Sequence, residues 1–128
     1  MSVLLDTHAL LWWLTADRRL SPLAKATIDD GDRVRYVSSV TAFEIANKHR
    51  LGKLPIAGPI IDSFDQIVRD GSFRKLDVST SHALLAGKFP STHRDPFDRL
   101  LAAQCKIDGL SMITVDPAFG EFGIDIVW

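Results

Sequence analysis

VLLDTHALLWWL, residues 3–14, carries two structural signatures with an acid between them. Ser2 to Leu5 is a short apolar run and reads as a buried strand. From Thr7 onward the apolar residues recur at helical spacing, so the strand passes into a helix with Asp6 at the junction. The same alternation continues down the chain. SPLAKATIDDGD begins a helix with Ser21 as cap and Pro22 at the first helical position, and ends it at Gly31. VRYVSSV, rich in β-branched and aromatic residues, reads as a second strand. Thr41 to Leu51 reads as the helix after it, stopped by Gly52 and Pro55. Gly58 to Asp70 supplies another helix, FRKLDV a brief third strand and STSHALLAGKF a helix. Pro96 to Asp108 is helical, SMITVD is a fourth strand and FGIDIVW a candidate fifth. Strands separated by helices imply βαβ units. The expected fold class is therefore α/β, one domain over residues 1–128 with a central parallel sheet of four to five strands and helices on both faces.

Composition narrows the function. With 46% hydrophobic and 24% charged residues over 128 positions, the chain can bury a proper core as a single globular domain. No apolar run reaches the roughly 20 residues a membrane span needs, so no membrane association is expected. The start lacks a basic region and a small-residue cleavage site, and the lone Cys105 suits a reducing compartment. A cytoplasmic location is expected, with Cys105 as a small core residue. A net charge of −1 gives no global basic footprint, which argues against binding long duplexes by electrostatics alone.

The acids are skewed: of sixteen, fourteen are Asp, and only Glu44 and Glu121 are Glu. Asp favours caps, turns and metal sites. In open parallel sheets, sites form beyond the carboxyl ends of the strands. Asp6 follows the first strand, Glu44 lies early in the helix after the second, and Asp116 follows the fourth. Asp95 and Asp98 open the helix that leads into strand four, and antiparallel helices or the KFPSTHR loop would return that helix start to the same edge. Each acid also has a plain capping explanation. Thr41-Ala42-Phe43-Glu44 fits a capping box, Asp6 and Asp95 fit N-caps, and Asp116 before Pro117 fits a turn. Capping alone, however, requires no shared edge. Three or four carboxylates together can hold Mg²⁺, a hard cation that prefers oxygen ligands, while leaving room for a phosphate oxygen.

The segments LLDTHALLW, SSVTAFEIANKHRLGKL, HRDPFDRLLAAQC and ITVDPAF, in this order and spanning essentially the whole chain, resemble PIN-domain ribonucleases of the VapC toxin type. The resemblance implies an endoribonuclease using Mg²⁺ or Mn²⁺, with Asp6, Glu44, Asp98 and Asp116 as the catalytic, metal-binding acids. Asp95 is an additional acid, either a water-mediated ligand or a cap. Thr114 matches a hydroxyl position that orients site carboxylates or water. The resemblance also implies a cognate antitoxin protein as partner and a homodimer.

Other residues invite a role beside that site. Asn47, one turn after Glu44, is a candidate supporting donor. Arg94 and Arg99 flank the aspartates as candidate RNA contacts, and Lys48, His49, Arg50 and Lys53 form a basic run that reads either as an RNA rim or as a solvated helix face. The four histidines show no metal-ligand spacing. Trp12 and Trp13 read as core or as interface. Two other functions compete: a phosphatase with Asp6 as aspartyl nucleophile, which commonly needs an acid where His8 stands, and a non-enzymatic interaction module whose acids only cap.

Overall fold

The computed structural model describes residues 1–128. Its strands are β1 (Val3–Leu5), β2 (Arg35–Ser38), β3 (Arg74–Leu76), β4 (Ser111–Ile113) and β5 (Ile126–Val127). The helices are α1 (Thr7–Leu14), α2 (Pro22–Asp29), α3 (Ser39–Arg50), α4 (Gly58–Asp62), α5 (Phe64–Asp70), α6 (Thr80–Lys88) and α7 (Pro96–Asp108). Short 3-10 turns at Pro55–Ala57 and Pro117–Phe122 complete the chain.

All five strands are parallel, in the order β3-β2-β1-β4-β5. Alternation along the strands sorts the core onto two faces. Val3, Leu5, Val37 and Ile113 point to one side, where Leu10, Ala24, Ile28, Ile45 and Val68 from α1, α2, α3 and α5 cover them. Leu4 and Met112 point to the other, beneath Leu101, Ala102 and Cys105 of α7 and Phe119 and Phe122 of the last 3-10 turn. The sheet thus carries helices on both faces, and no helix is long and apolar enough to cross a membrane. Small residues at 102 and 103 bring α7 close to the sheet. There the Ser38 hydroxyl donates to Gln104 Oε1 at 2.6 Å, while Gln104 Nε2 donates to the Leu76 carbonyl. This buried bridge ties α7 to the carboxyl ends of β2 and β3.

The local detail departs from the sequence reading in three places. Helix α3 starts at Ser39 rather than Thr41, because the Ser38 hydroxyl accepts the Val40 N–H and caps it there. The Thr41–Glu44 capping box therefore does not form; both residues lie inside the helix, and Glu44 is turned to other partners. The single helix expected over 58–70 is two, interrupted where Ser63 takes φ −113° and ψ 17°. The strands are also shorter than the runs that mark them.

Two features position the site. The chain leaves β1 toward β2 on one side, whereas β4 lies on β1's other side, so the loops after β1 and β4 diverge and open a crevice at their carboxyl ends. Helix α7 reaches the same edge through an antiparallel pairing with α6. His82 at the start of α6 meets Asp108 at the end of α7, and Arg99 at the start of α7 meets Ala86 near the end of α6. The segment 89–95 then delivers Asp95 and Asp98 to the crevice.

Candidate active site

A cleft of about 490 Å³ lies at this switch point, and Asp6, Glu44, Asp95, Asp98 and Asp116 all line it, together with His8, Trp12 and Lys48. Asp6 and Glu44 are the most enclosed of the five, 7% and 5% exposed. Its Oδ1 accepts the Thr7 N–H at 2.7 Å, and its Oδ2 accepts the Thr114 hydroxyl at 2.7 Å. Thr114 in turn accepts the backbone N–H of Asp116, so one hydroxyl links the ends of β1 and β4. Burial pushes the Asp6 carboxyl above the usual range, and the charge on Glu44 adds to the rise; the Thr114 and Thr7 bonds and nearby His8 oppose it.

Glu44 comes from the second turn of α3, on the face turned toward α1. The buried hydroxyl of Thr7 donates to its Oε1 at 2.7 Å, and Lys48 pairs with its Oε2 at 2.5 Å. Asp98 holds the opposite wall, where His93 Nε2 lies 2.8 Å from its Oδ2. His93 is braced by ring contacts with Phe119 and Phe122. Burial raises the Asp98 carboxyl to about 6, with the charges of Asp95 and Asp6 adding to the rise against the His93 bond. Asp95 uses one oxygen, Oδ1, to cap α7 through the N–H groups of Phe97 and Asp98. Its other oxygen remains without a protein donor. Asp116 likewise caps the 3-10 turn through the Ala118 N–H.

The donor set is all oxygen, carboxylate with one hydroxyl, which suits a hard divalent cation. Carboxylates crowded in one cleft raise one another's pKa, and a cation would relieve that repulsion. The side chains are nevertheless turned to their protein partners, and no three of them are gathered as a preformed metal-binding group.

Some sequence candidates have other partners. Asn47, the expected supporting donor, does not line the cleft, and its side-chain oxygen accepts from Arg50. Arg99 is no free cation at the rim. Its guanidinium donates to the carbonyls of Ala86, Phe89, Ser91 and His93, because the segment joining α6 to α7 lacks its own backbone pairing. Arg94 is exposed. The sequence reading did not single out Thr7 or His93 as carboxylate partners. Thr7 follows Asp6 directly, but only the fold brings it to Glu44; His93 reads from sequence as a surface or hydrogen-bonding residue near the site, with no partner specified.

The Asp98 environment makes a stability prediction for the protein in chelator. A carboxyl raised to about 6 in the fold from an ordinary value of 3.8 binds its proton more tightly when folded. Its ionisation therefore removes stability as pH rises from about 4 through about 6, and the loss is complete at pH 7. Because Asp98 keeps some solvent contact, the expected loss is about 1–2 kcal/mol rather than the full linkage value. Asp98→Asn removes this dependence, so the parent-minus-variant stability difference should favour the variant at pH 7 and shrink toward pH 4. Urea melts across that range would contradict the prediction if the difference stayed flat.

The sequence pattern of the PIN domain matches residues 3–124. The chain is 30% identical to ribonuclease VapC22 of Mycobacterium tuberculosis over 116 residues, 90% of this chain and 87% of that protein. Solved structures share the fold at lower identity. FitAcB from Neisseria gonorrhoeae superposes with TM-score 0.65 at 19% identity, covering 97% of this chain and 95% of its own. A toxin–antitoxin complex from Klebsiella pneumoniae gives 0.58 at 18%, covering 90% and 87%. VapBC2 from Rickettsia felis, bound to a DNA fragment from its promoter, gives 0.64 at 10%, covering 98% and 97%.

Proposed function

This chain belongs to the PIN-domain family, of the VapC type, and from that premise we propose that it is a metal-dependent endoribonuclease and the toxin of a toxin–antitoxin pair. Residues 1–128 act as one nuclease unit in this reading. The observation that carries it is the cleft itself: five acidic side chains share one crevice, and burial raises the carboxyls of Asp6 and Asp98. A capping role explains Asp6, Asp95 and Asp116, but neither Glu44 nor Asp98 caps a helix. Asp98 carries a desolvation cost that no capping role offsets. The phosphatase reading gains nothing, since His8 stands where a second acid is commonly found.

Asp6, Glu44, Asp98 and Asp116 would hold Mg²⁺ or Mn²⁺, with Asp95 contributing its uncapped oxygen. The bound ion would neutralise the phosphodiester and supply the Lewis acidity that hydrolysis needs. The protein's own groups hold this arrangement ready. Thr114 and the Thr7 N–H fix the two Asp6 oxygens in orientation, and the Thr7 hydroxyl does the same for Glu44. Lys48 offsets charge at the Glu44 side, and His93 steadies Asp98. Without a cation, five carboxylates would repel an RNA phosphate.

The partner is a cognate antitoxin, a reading supported by relatives in toxin–antitoxin complexes; the working assembly is a homodimer, as expected for VapC-type proteins. A groove of about 480 Å³ whose walls include Leu14, Ile56, Ile60 and Ile67 offers apolar contact surface. The direct test is cleavage of RNA by the purified chain. Activity should require Mg²⁺ or Mn²⁺, stop with EDTA and return with excess metal. Cleavage indifferent to EDTA, or neither cleavage nor divalent binding, would overturn the proposal.

A further inference from the structure

A second groove, of about 510 Å³, opens beside the acidic cleft and shares His8, Trp12 and Lys48 with it. The two spaces differ in charge. The cleft sets five acids against Lys48, whereas the groove sets Arg19, Lys48 and Lys53 against Asp17 alone. Lys53 is exposed and takes part in none of the ion pairs of the fold.

Trp12 stands on the shared wall. Its indole packs edge-on against Trp128 and carries the Arg19 guanidinium 4.8 Å above the ring centroid. Arg19 is brought there by a tight turn. Ala16 takes φ 51°, a left-handed conformation costly for a residue with a Cβ, and the Asp17 N–H returns to the Trp12 carbonyl. Asp17 then grips the guanidinium through Nε and one terminal nitrogen. The Arg19 side chain is 69% exposed, so the group covering the indole can leave it.

We propose that this groove is the track of single-stranded RNA flanking the bond to be cut. One unpaired base takes the place of the Arg19 guanidinium on Trp12, and Lys53 and the released Arg19 hold the neighbouring phosphates, while Lys48 stays with Glu44 at the junction. The inference rests on the ribonuclease reading above. Three observations favour a single strand. The cationic groove is continuous with the acidic cleft, so a polyanion leaving the cleft meets positive charge. A flat aromatic wall suits a base freed from pairing. The chain's net charge of −1 offers no broad basic face for a duplex. The carbonyl partners of Arg99 point the same way, because they withdraw one cation from the opposite wall of the cleft. An acidic peptide would satisfy the cations but would have no use for the half-buried indole on the shared wall.

The test measures binding of a labelled short single-stranded RNA of mixed sequence to an Asp6→Asn background that does not cleave, in Mg²⁺. Trp12→Ala should weaken binding about 5- to 150-fold, the range expected for loss of one base–aromatic stack, and Trp12→Phe should recover part of it. Lys53→Ala should lower the slope of log K against log salt by about 0.7, one phosphate contact on a single strand. Lys53→Glu, at an exposed position, keeps the test valid should Trp12→Ala fold poorly; it should weaken binding further than Lys53→Ala. The same RNA annealed to its complement should bind more weakly than the single strand. If the background protein binds RNA but neither the Trp12 nor the Lys53 variants change affinity or salt slope, the groove assignment falls and the ribonuclease reading stands. If a poly-glutamate peptide displaces the RNA while Trp12→Ala leaves RNA affinity intact, the groove is an acidic-peptide site and the inference is overturned. If neither this background nor the parent protein binds or cleaves the RNA in Mg²⁺, the ribonuclease reading fails and this inference with it.

Discussion

Asp6→Asn should lower divalent-dependent RNA cleavage about 10³-fold or more while leaving the fold in place. Several kcal/mol of charge stabilisation rest on the ion in a metal-assisted hydrolysis, and each 1.4 kcal/mol is about tenfold in rate. Asp6 is the acid nearest the centre of that arrangement, at the end of the middle strand with Thr114 and Thr7 fixing both of its oxygens. The amide is nearly isosteric but neutral. One of its ends can still accept the Thr7 N–H, whereas the other becomes a donor facing the Thr114 hydroxyl, which must reorient. That mismatch costs about 1 kcal/mol. Removal of a buried carboxylate whose proton affinity is raised by desolvation offsets it at neutral pH. Thermal melting should therefore move by only a few degrees in EDTA. The increase in melting temperature that Mg²⁺ or Mn²⁺ gives the parent should be lost in the variant. Cleavage within tenfold of the parent would remove Asp6 from the site.

How much of this was legible beforehand follows from the range of each interaction. Asp6 and Asp116 were readable because an acid directly after an apolar run sits at a strand's carboxyl end whatever the strand order. Glu44 lies in the cleft, but its local explanation does not hold: a capping box is read over four residues, and the cap is Ser38, three residues upstream of the expected helix start. Asp95 was divided between cap and site. The structure gives the cap to one oxygen and places the residue in the cleft wall, so the two roles do not compete. What could not be read were the bonds that cross the chain. Thr7 reaches Glu44 over 37 positions, and Thr114 reaches Asp6 over 108. Both depend on the strand order β2-β1-β4, which alternation of elements does not specify. The groove beside Trp12 escaped for the same reason, since α1, the turn at Ala16 and the end of α3 meet only once the sheet is assembled.

Arg99 separates the two kinds of reading most sharply, and Arg99→Ala should act on stability first. A cation at an RNA rim would be exposed, and its loss would weaken substrate binding without altering the melt. The observed guanidinium instead donates at 2.7–3.1 Å to four carbonyls, three of them in the segment between α6 and α7. Charge-assisted bonds of this kind contribute about 1.5–3 kcal/mol each when the acceptor is left unpaired, although water reaches carbonyls in a half-exposed segment and recovers part of that. The net expectation is a loss of about 2–4 kcal/mol, which for a domain of this size lowers the melting temperature by roughly 10 °C. Arg99→Lys should recover only a fraction, because one ammonium cannot reproduce a planar fork aimed at several acceptors. A second effect follows from geometry. The His93 carbonyl is one of the four acceptors and the His93 ring holds Asp98, so freeing the segment also frees that carboxylate. At temperatures where the variant is folded, its activity should fall through weaker divalent binding, and high Mg²⁺ or Mn²⁺ should restore part of the rate. A melt within 2 °C of the parent, with RNA affinity reduced, would return Arg99 to the rim.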